Sequence, residues 1–345
     1  MNTNQLSWKE LGRRSGGALM IPCAFAVILL ALCAVNGRAM IANQTSFYNF
    51  VVYTAIVMVT TMALSINLNS GRFDFSLGAM AILSSVVSAK ITFALLGGGA
   101  GSAPCMLLFN VLVGALLGLL SGALYVTLRI PPIITSLGVT LIFEGVTYTI
   151  TGGRYVMQEV QNASMSGFIG TWVYAFLIIV VVLALTMLIF DHTRFGYDYK
   201  ALREGQKVAV NTGVREVPNA LGCYAICGAL MGVVGFLNTA RNTNINGGNL
   251  NFGSISIMFT AFLPMFIGSY IGRYVNEKLG FLLAALCMSM LNSTFAVFSN
   301  ELNASTQSII NAVLLVLFLI YLSNEGTLRR FLRPVRKNAS TEVRA

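Results

Sequence analysis

Long apolar stretches recur along nearly the whole chain, separated by short polar segments. A bilayer core about 30 Å thick needs roughly 20 apolar residues per helical crossing, and about ten stretches of that length can be distinguished. They cover residues 18–36, 47–66, 77–96, 105–127, 133–151, 170–190, 220–239, 256–271, 279–298 and 306–323. The stretches are continuous rather than alternating, which favours helices over a barrel, because lipid offers no partners for unpaired backbone groups. The pattern predicts an all-α polytopic membrane protein with about ten transmembrane helices.

Composition agrees with this fold class. Hydrophobic residues make up 56% of the 345 residues and charged residues only 10%, with a mean hydropathy of +0.76. Charged residues are about a quarter of an ordinary soluble domain. An ordinary soluble fold is therefore excluded.

The basic residues lie mostly on one predicted side. Of the 22 lysine and arginine residues, all but Arg38, Lys90, Arg154 and Arg241 fall on the side of the amino terminus. Short cytoplasmic loops collect such residues, so both termini are predicted to be cytoplasmic. The net charge of +10 then reflects topology and contact with anionic membrane lipids, not nucleic-acid binding. The predicted layout is a cytoplasmic segment 1–17, a transmembrane domain 18–323 and a basic cytoplasmic tail 324–345.

A polar break interrupts the apolar pattern between the second and third stretches. Residues 67–80 read NLNSGRFDFSLGAM, with Asp74, Ser76 and Gly78 where a new helix begins. Asp or Ser at that point can cap free amides, and a helix break inside a membrane is tolerated only where it lines a cavity or is buried in protein. Asp74 and Ser76 therefore either only cap the new helix or cap it beside a path for a solute.

A second break follows the seventh stretch. Its GGNLNFGS, residues 247–254, parallels SGRFDFSL, residues 70–77, with Asn251 opposite Asp74. The breaks follow the second and seventh spans, which are five spans apart. Because five is an odd number, two copies of one structural repeat at this distance would have opposite orientations in the membrane, as in inverted repeats. This arrangement predicts a transport path at the interface between two inverted repeats.

One long hydrophilic segment, residues 191–219, lies between the sixth and seventh stretches. Within it, REGQKVAVNTG is predicted to form a short helix that stops at Gly213, with Ala209 four residues before it. The segment is either a solvated loop with a surface helix or a docking element for a cytoplasmic protein. Its length and mixed charge favour docking.

Motifs for nucleotide hydrolysis, membrane-embedded catalysis and metal binding are not found in the sequence. There is no G-x-x-x-x-G-K-[ST], no H-E-x-x-H and no G-x-S-x-G. The six cysteines lie in or beside apolar stretches without nearby histidine or carboxylate, which favours packing over metal ligation. The chain is not predicted to be an enzyme, and no cofactor or metal is expected.

Three motifs together resemble the permease subunits of bacterial ABC importers for monosaccharides of the ribose, xylose and galactose type. SGRFDFSLGAM is similar to the family's Gly-Gly-x-Asp-Leu-Ser-x-Gly signature through Gly71, Asp74, Ser76 and Gly78. The second motif, LRIPPIITSLGVTLIFEGV, is similar to the family's paired prolines followed by Thr-Leu-Gly through Pro131, Pro132, Thr135, Leu137 and Gly138. The third, EGQKVAVNTGV, resembles a cytoplasmic element of the family. The wider group includes branched-chain amino acid and nucleoside permeases. The resemblance covers about residues 18–325.

The resemblance implies a type II ABC importer permease of the bacterial inner membrane. Its implied partners are a second permease subunit, identical or not, two ABC ATPase subunits that power transport, and a periplasmic substrate-binding protein. The residues implied to couple to the ATPase are Glu204, Gly205, Ala209 and Gly213. The residues expected along the path or its helix breaks are Asn69, Gly71, Asp74, Ser76, Gly78, Pro131, Pro132, Thr135, Thr140, Glu144 and Asn251, with Thr147 and the asparagines at 242–251 as further candidates.

Two departures from the family leave the substrate open. The family's acidic stretch after the seventh span is absent, and Pro264 is predicted to kink the eighth span. Glu144 stands where the family often has arginine, and a carboxylate within a span is expected to be functional; it contacts either a polar substrate or a partner cation. A nucleoside or an autoinducer-like furanose is an alternative substrate. An ion-coupled secondary transporter and a membrane structural protein are the alternatives from other classes.

Overall fold

The computed structural model describes residues 8–97, 101–156 and 172–332. The ends of the predicted cytoplasmic segments, residues 1–7 and 333–345, lie outside the described residues. The chain divides into two compact units, Met1–Glu301 and Leu302–Ala345. The first unit contains the elements discussed below, and α12 is the described helix of the second.

Helices make up nearly all of the described chain. In order, the elements are α1 (Trp8–Val35), α2 (Gln44–Asn69), α3 (Leu77–Leu96), α4 (Ser102–Leu128), α5 (Pro132–Thr151), β1 (Tyr155–Val156), α6 (Val173–His192), α7 (Arg194–Asn211), α8 (Glu216–Asn242), β2 (Ile245–Asn246), α9 (Ile255–Phe259), α10 (Phe262–Ile271), α11 (Glu277–Val297) and α12 (Ala304–Leu332). The strands form one antiparallel pair that joins the end of α5 to the segment after α8.

Within the described residues, nine helices are long and apolar enough to cross a membrane. They match nine of the stretches predicted from the sequence, which confirms the all-α polytopic fold. The eighth predicted span, residues 256–271, is instead two short helices, α9 and α10, separated at Thr260 and Ala261. Pro264 lies in the first turn of α10 and cannot donate the backbone hydrogen bond that would continue α9. Thr260 and Ala261 keep right-handed helical backbone angles, so the division between α9 and α10 is the predicted kink.

Helix α2 forms the centre of the first unit. It is buried from Val51 to Asn67 except at Tyr53, and it contacts α6, α8, α10 and α11. Such a helix is hydrophobic around its whole circumference because every face meets another helix.

Helices α4 and α8 pack with their backbones in contact. A Cβ atom on Gly114 would collide with the carbonyl oxygen of Gly228, and one on Gly232 with that of Asn110. Small residues at four-residue spacing allow this approach, which increases van der Waals contact where lipid supplies no hydrophobic driving force. The two helices form a closely packed pair against which α3 lies.

Candidate functional site

The first break, residues 70–76, begins where α2 ends. The amide of Gly71 donates to the Leu68 carbonyl and that of Arg72 to the Asn67 carbonyl, both at 3.0 Å, with Gly71 left-handed at a φ of 71°. This is the pattern of a Schellman C-cap, which favours glycine because a side chain is disfavoured there. Gly71 therefore ends α2 rather than continuing into α3.

Asp74 and Ser76 organise the start of α3. Both are fully buried. The amide of Ser76 donates to Asp74 Oδ1 at 2.8 Å, and its hydroxyl donates to the same oxygen at 2.6 Å. Among the described residues, Asp74 Oδ2 has no hydrogen-bond partner. The carboxylate thus holds the turn before α3, while one of its oxygens remains without a protein partner.

The second break, residues 247–254, is held by a side chain from α5. Asn251 and Phe252 both have left-handed backbones, with φ of 56° and 67°, which is uncommon for residues other than glycine. The amides of Phe252 and Ser254 donate to the two carboxylate oxygens of Glu144, each at 2.9 Å, and the Ser254 hydroxyl donates at 2.6 Å. These hydrogen bonds stabilise an otherwise unfavourable backbone.

Glu144, predicted to contact either a polar substrate or a partner cation, has main-chain contacts in place of a cation within the described residues. It is 2% exposed, and within the described residues it forms no ion pair. Charge-assisted hydrogen bonds from backbone amides satisfy it instead. On the same face of α5, Thr140 and Thr147 are buried and donate to carbonyls of their own helix, and Thr151 donates to the Gly247 carbonyl at 3.3 Å. This face therefore carries the second break.

The two breaks meet at Gly78 and Ser254. A Cβ on Gly78 would collide with the carbonyl oxygen of Ser254, so the start of α3 touches the start of α9 backbone to backbone. One turn further along α3, Ala81 meets Gly235 of α8. The junction, defined here as the contact between Gly78 and Ser254 together with Glu144, lies beside the inner turns of α8 rather than at either end.

A phenylalanine cluster joins the first break to the interruption between α9 and α10. Phe73 and Phe75 lie edge to face at 4.6 Å between ring centroids, and Phe259 stacks on Phe262 at 5.5 Å. Phe73 to Phe262 and Phe75 to Phe259 complete the contacts at 5.9 and 6.4 Å. Aromatic pairs at these separations are favourable. The first break and the kink of the eighth span are therefore packed together.

The hydrophilic segment at residues 191–219 contains a longer helix than predicted. Helix α7 is kinked at Gly205, whose backbone is extended, and ends in a second Schellman motif with Gly213 at a φ of 95°. The predicted stop at Gly213 is confirmed. Tyr199 in α7 donates from its hydroxyl to the Ile66 carbonyl of α2, and burial raises the pKa of Tyr199 above its usual range, so the donor is retained at neutral pH.

Two carboxylates connect α7 to the first break. Glu277 at the start of α11 accepts from Arg203 of α7 at 3.1 Å and from Asn69 of α2 at 3.3 Å. Glu216 at the start of α8 accepts from Gln206 of α7 at 2.6 Å and lies 3.5 Å from Arg72 Nη2. The donors Arg203 and Gln206 lie on either side of the kink in α7.

The remaining predicted residues are dispersed. Pro131 and Pro132 begin α5, with Pro131 exposed, and Thr135 is buried one turn later. Asn251 is exposed, and Asn69 contacts the α7 connection rather than the junction. Arg72, predicted among the cytoplasmic positive charges, is only 4% exposed. Its guanidinium lies near the start of α8, where Glu216, 3.5 Å from Nη2, partly compensates its charge.

A polar cavity of about 220 Å³ lies between α3, the carboxyl end of α8 and the segment that leads into the second break. Its polar lining is rich in amides: Asn238, Thr239, Asn242, Asn244, Asn246 and Asn249. The sequence pointed to the asparagines at 242–251, and the structure brings four of them, Asn242, Asn244, Asn246 and Asn249, together with Asn238. None of the residues that line this cavity carries a charge.

The fold and the junction define a class of protein: a polytopic helical membrane protein in which two breaks between helices meet inside the helix bundle. A further helix, α7, contacts the end of α2 where the first break begins. Residues 46–322 match the family model described as branched-chain amino acid transport system / permease component. The chain belongs to this family.

Curated relatives are permease proteins. The fructose import permease protein FrcC of Rhizobium meliloti is 25% identical over 62% of each chain. The galactofuranose transporter permease protein YtfT of Escherichia coli K12 is 25% identical over 76% of each, and the D-allose permease AlsC of the same organism is 30% identical over 49% of this chain and 51% of its own. The chain thus spans less than two thirds of some relatives it matches. No solved structure matches it.

Proposed function

We propose that the chain is the membrane-spanning subunit of an ABC importer that takes up a monosaccharide across the bacterial inner membrane. Its membership of a permease family supports the transport role. The names of its relatives, which include fructose, galactofuranose and allose permeases, support a sugar substrate. A separate ATPase supplies the energy, since the sequence contains no nucleotide-binding motif.

The junction of Gly78, Ser254 and Glu144 is the observation on which this proposal mainly rests. If each long helix crosses the membrane once, α2 and α8 end on opposite sides. Segments that follow them can meet beside the inner turns of α8 only if irregular backbone enters the membrane. Such backbone is tolerated where it is buried in protein or lines a water-filled cavity, and transporters place their paths at such points.

The proposed orientation places both termini and α7 in the cytoplasm. It follows the distribution of lysine and arginine, and it puts the carboxyl end of α8 and the amide-lined cavity on the periplasmic side. A binding protein would then deliver substrate near that cavity, and the ATPase would dock on α7 around Glu204, Gly205, Ala209 and Gly213. A second permease subunit would complete the path.

The connection through Glu277 and Glu216 suggests how energy reaches the path. A motion of α7 imposed by the ATPase would act on Arg203 and Gln206, which lie on either side of the kink at Gly205. Both side chains bind carboxylates that also contact the first break. We infer that the kink changes angle during transport and displaces residues 69–72, and with them the start of α3.

A furanose of the autoinducer-2 type is a second candidate substrate. An autoinducer 2 import permease, LsrC of Photorhabdus luminescens, is 22% identical over 84% of each chain. An ion-coupled mechanism would have Asp74 and Glu144 as its candidate residues. Both carboxylate oxygens of Glu144 already accept hydrogen bonds from the protein, whereas Asp74 Oδ2 has no partner among the described residues. Membership of the permease family favours the ABC importer over this alternative.

Uptake of labelled monosaccharides by cells that contain the complete transport operon, compared with cells that lack only this chain, tests the proposal. We expect uptake of at least one sugar to be lost without the chain and restored by it. Purification of the tagged chain should recover an ATPase subunit. Transport by the purified chain alone in vesicles without nucleotide would contradict the proposal.

A further inference from the structure

The amide-lined cavity has the chemistry of a binding site for a neutral, hydroxyl-rich molecule. Its volume of about 220 Å³ greatly exceeds the about 15 Å³ that one water molecule requires, so a small organic molecule fits. Within the described residues, the side-chain amides of Asn238, Asn242 and Asn244 form no hydrogen bond to protein. They are therefore available to a ligand.

The types of group in the lining select the ligand class. Each asparagine offers a carbonyl acceptor and two N–H donors, which matches hydroxyl groups that both donate and accept. The apolar part of the lining, which includes Ile82 and Ile257, can contact the C–H face of a sugar ring. Because no lining residue is charged, the site offers no ion-pair partner to an anionic or cationic ligand.

The inner end of the cavity is closed by a helix contact. A Cβ on Gly235 would collide with the Ala81 carbonyl and the Ser85 hydroxyl of α3, so α3 and α8 touch there. The mouth is shaped by the segment before the second break, where Asn246 Oδ1 accepts from the Gly248 amide at 2.9 Å and its Nδ2 donates to Asn249 Oδ1 at 3.2 Å. The same segment continues to Ser254, so a ligand in the cavity would contact the chain that forms the junction.

We propose that this cavity binds the transported neutral monosaccharide before it passes the junction, through the side-chain amides of Asn238, Asn242 and Asn244. This inference rests on the proposed function and adds a defined substrate site to it. Occupancy would restrain the segment between α8 and Ser254. The substrate itself would thereby act on the second break.

Protection of an introduced thiol tests this site. Asn244→Cys would be made in the full complex together with Cys23→Ser and Cys105→Ser, which removes the two native cysteines that are not buried. A maleimide would be reacted in the presence of D-ribose, D-fructose, D-galactose or D-allose, each alone, and with glucuronate as a charged comparison. Asn36→Cys, an exposed position after α1, is the matched control.

We expect the sugar that cells take up to slow labelling of Asn244→Cys severalfold, and glucuronate to have no effect. Labelling of Asn36→Cys should be the same in every condition. Asn238→Leu in the same background should weaken protection roughly threefold to tenfold, as for one lost hydrogen bond. If the complex takes up a sugar but that sugar does not slow maleimide labelling of Asn244→Cys, this inference is overturned and the proposed function is not. Absence of monosaccharide uptake by the wild-type complex would overturn the proposed function, and this inference with it.

Discussion

Glu144 accepts a hydrogen bond from the backbone amide of Ser254 at 2.9 Å, although 110 residues separate the two along the chain. Its other oxygen accepts from the amide of Phe252. Burial of a carboxylate inside a helix bundle costs free energy unless the carboxylate accepts hydrogen bonds or is paired with a cation. Here main-chain amides donate those hydrogen bonds. Glu144 is therefore a structural anchor for the second break.

Removal of this anchor should destabilise the protein. Glu144→Ala leaves the buried amide and hydroxyl of Ser254 and the part-buried amide of Phe252 without an acceptor, at about 1–3 kcal/mol for a buried group. Glu144→Gln keeps one acceptor oxygen and should have an intermediate effect. Thermal unfolding of the purified chain in detergent measures both. Thr149→Ala, an exposed position on the same helix, should change little, and equal stability of all three variants would contradict the anchoring role.

Enlargement of Gly78 should separate the two breaks. In Gly78→Ala the new methyl group meets the Ser254 carbonyl, and overpacking of this kind costs about 1–3 kcal/mol. We expect a lower unfolding temperature and reduced uptake. Gly145→Ala is the matched control, since a Cβ there meets nothing within 4 Å; a Gly78→Ala variant as active and stable as this control would show that the contact is unimportant.

Position 74 should tolerate replacement of aspartate by asparagine but not by leucine. Asp74→Asn retains an oxygen in the position that accepts both hydrogen bonds from Ser76, whereas Asp74→Leu leaves the buried amide and hydroxyl of Ser76 without that acceptor. Uptake assays combined with membrane protein levels should show that Asp74→Leu is inactive or absent and that Asp74→Asn is inserted. Full activity of Asp74→Leu would show that the turn does not depend on the carboxylate.

Gly205 and Gly213 of α7 and its carboxyl end should differ in their tolerance of a side chain. Gly213 has a left-handed backbone, which costs a residue with a Cβ about 1–2 kcal/mol, so Gly213→Val should distort the end of α7 and uncouple ATP hydrolysis from uptake. Gly205 is extended, and a Cβ there meets only Val208 at 3.8 Å, so Gly205→Ala should remain coupled. Normal uptake by Gly213→Val would argue against docking at this helix.

The Arg203–Glu277 pair should matter for coupling more than for stability. Both side chains are partly exposed, and such pairs contribute about 0.2–1 kcal/mol to folding. Arg203→Gln, Glu277→Gln and the double variant should therefore fold, and all three should lose uptake relative to ATP hydrolysis to a similar extent. Arg38→Gln breaks the exposed pair with Glu301 and serves as the control; independent, additive losses in the double variant would contradict a shared pathway.

Sequence patterns identified most of the fold because lipid imposes simple requirements on helix length. The eighth span was predicted as one helix since its composition is uniformly apolar, and only the proline at 264 signalled its division. The breaks were also recognisable, because Gly71, Asp74 and Gly247 are polar or flexible residues within apolar surroundings. The interior packing of α4 against α8 was missed, although Gly114, Gly118 and Gly122 recur at four-residue spacing.

The partners of individual site residues could not be predicted in the same way. Glu144 was expected to need a cation or a substrate, since periodicity does not show that main-chain amides from a segment 108 residues away reach it. Arg72 was counted among the positive charges on the side of the amino terminus, and its position in the sequence gave no sign of burial. Its burial depends on packing near Glu216 of α8, which is a tertiary effect. The inverted repeats remain a prediction.

The contact between α4 and α8 limits what can move when access changes sides. Close backbone contacts tie α4 to α8, and they also tie α3 to α8 where Ala81 meets Gly235. Such contacts favour movement of these helices as one unit. Spin labels on α4 and α8 should therefore keep nearly the same separation throughout the ATP cycle, whereas labels that compare α8 with α10 should report the change.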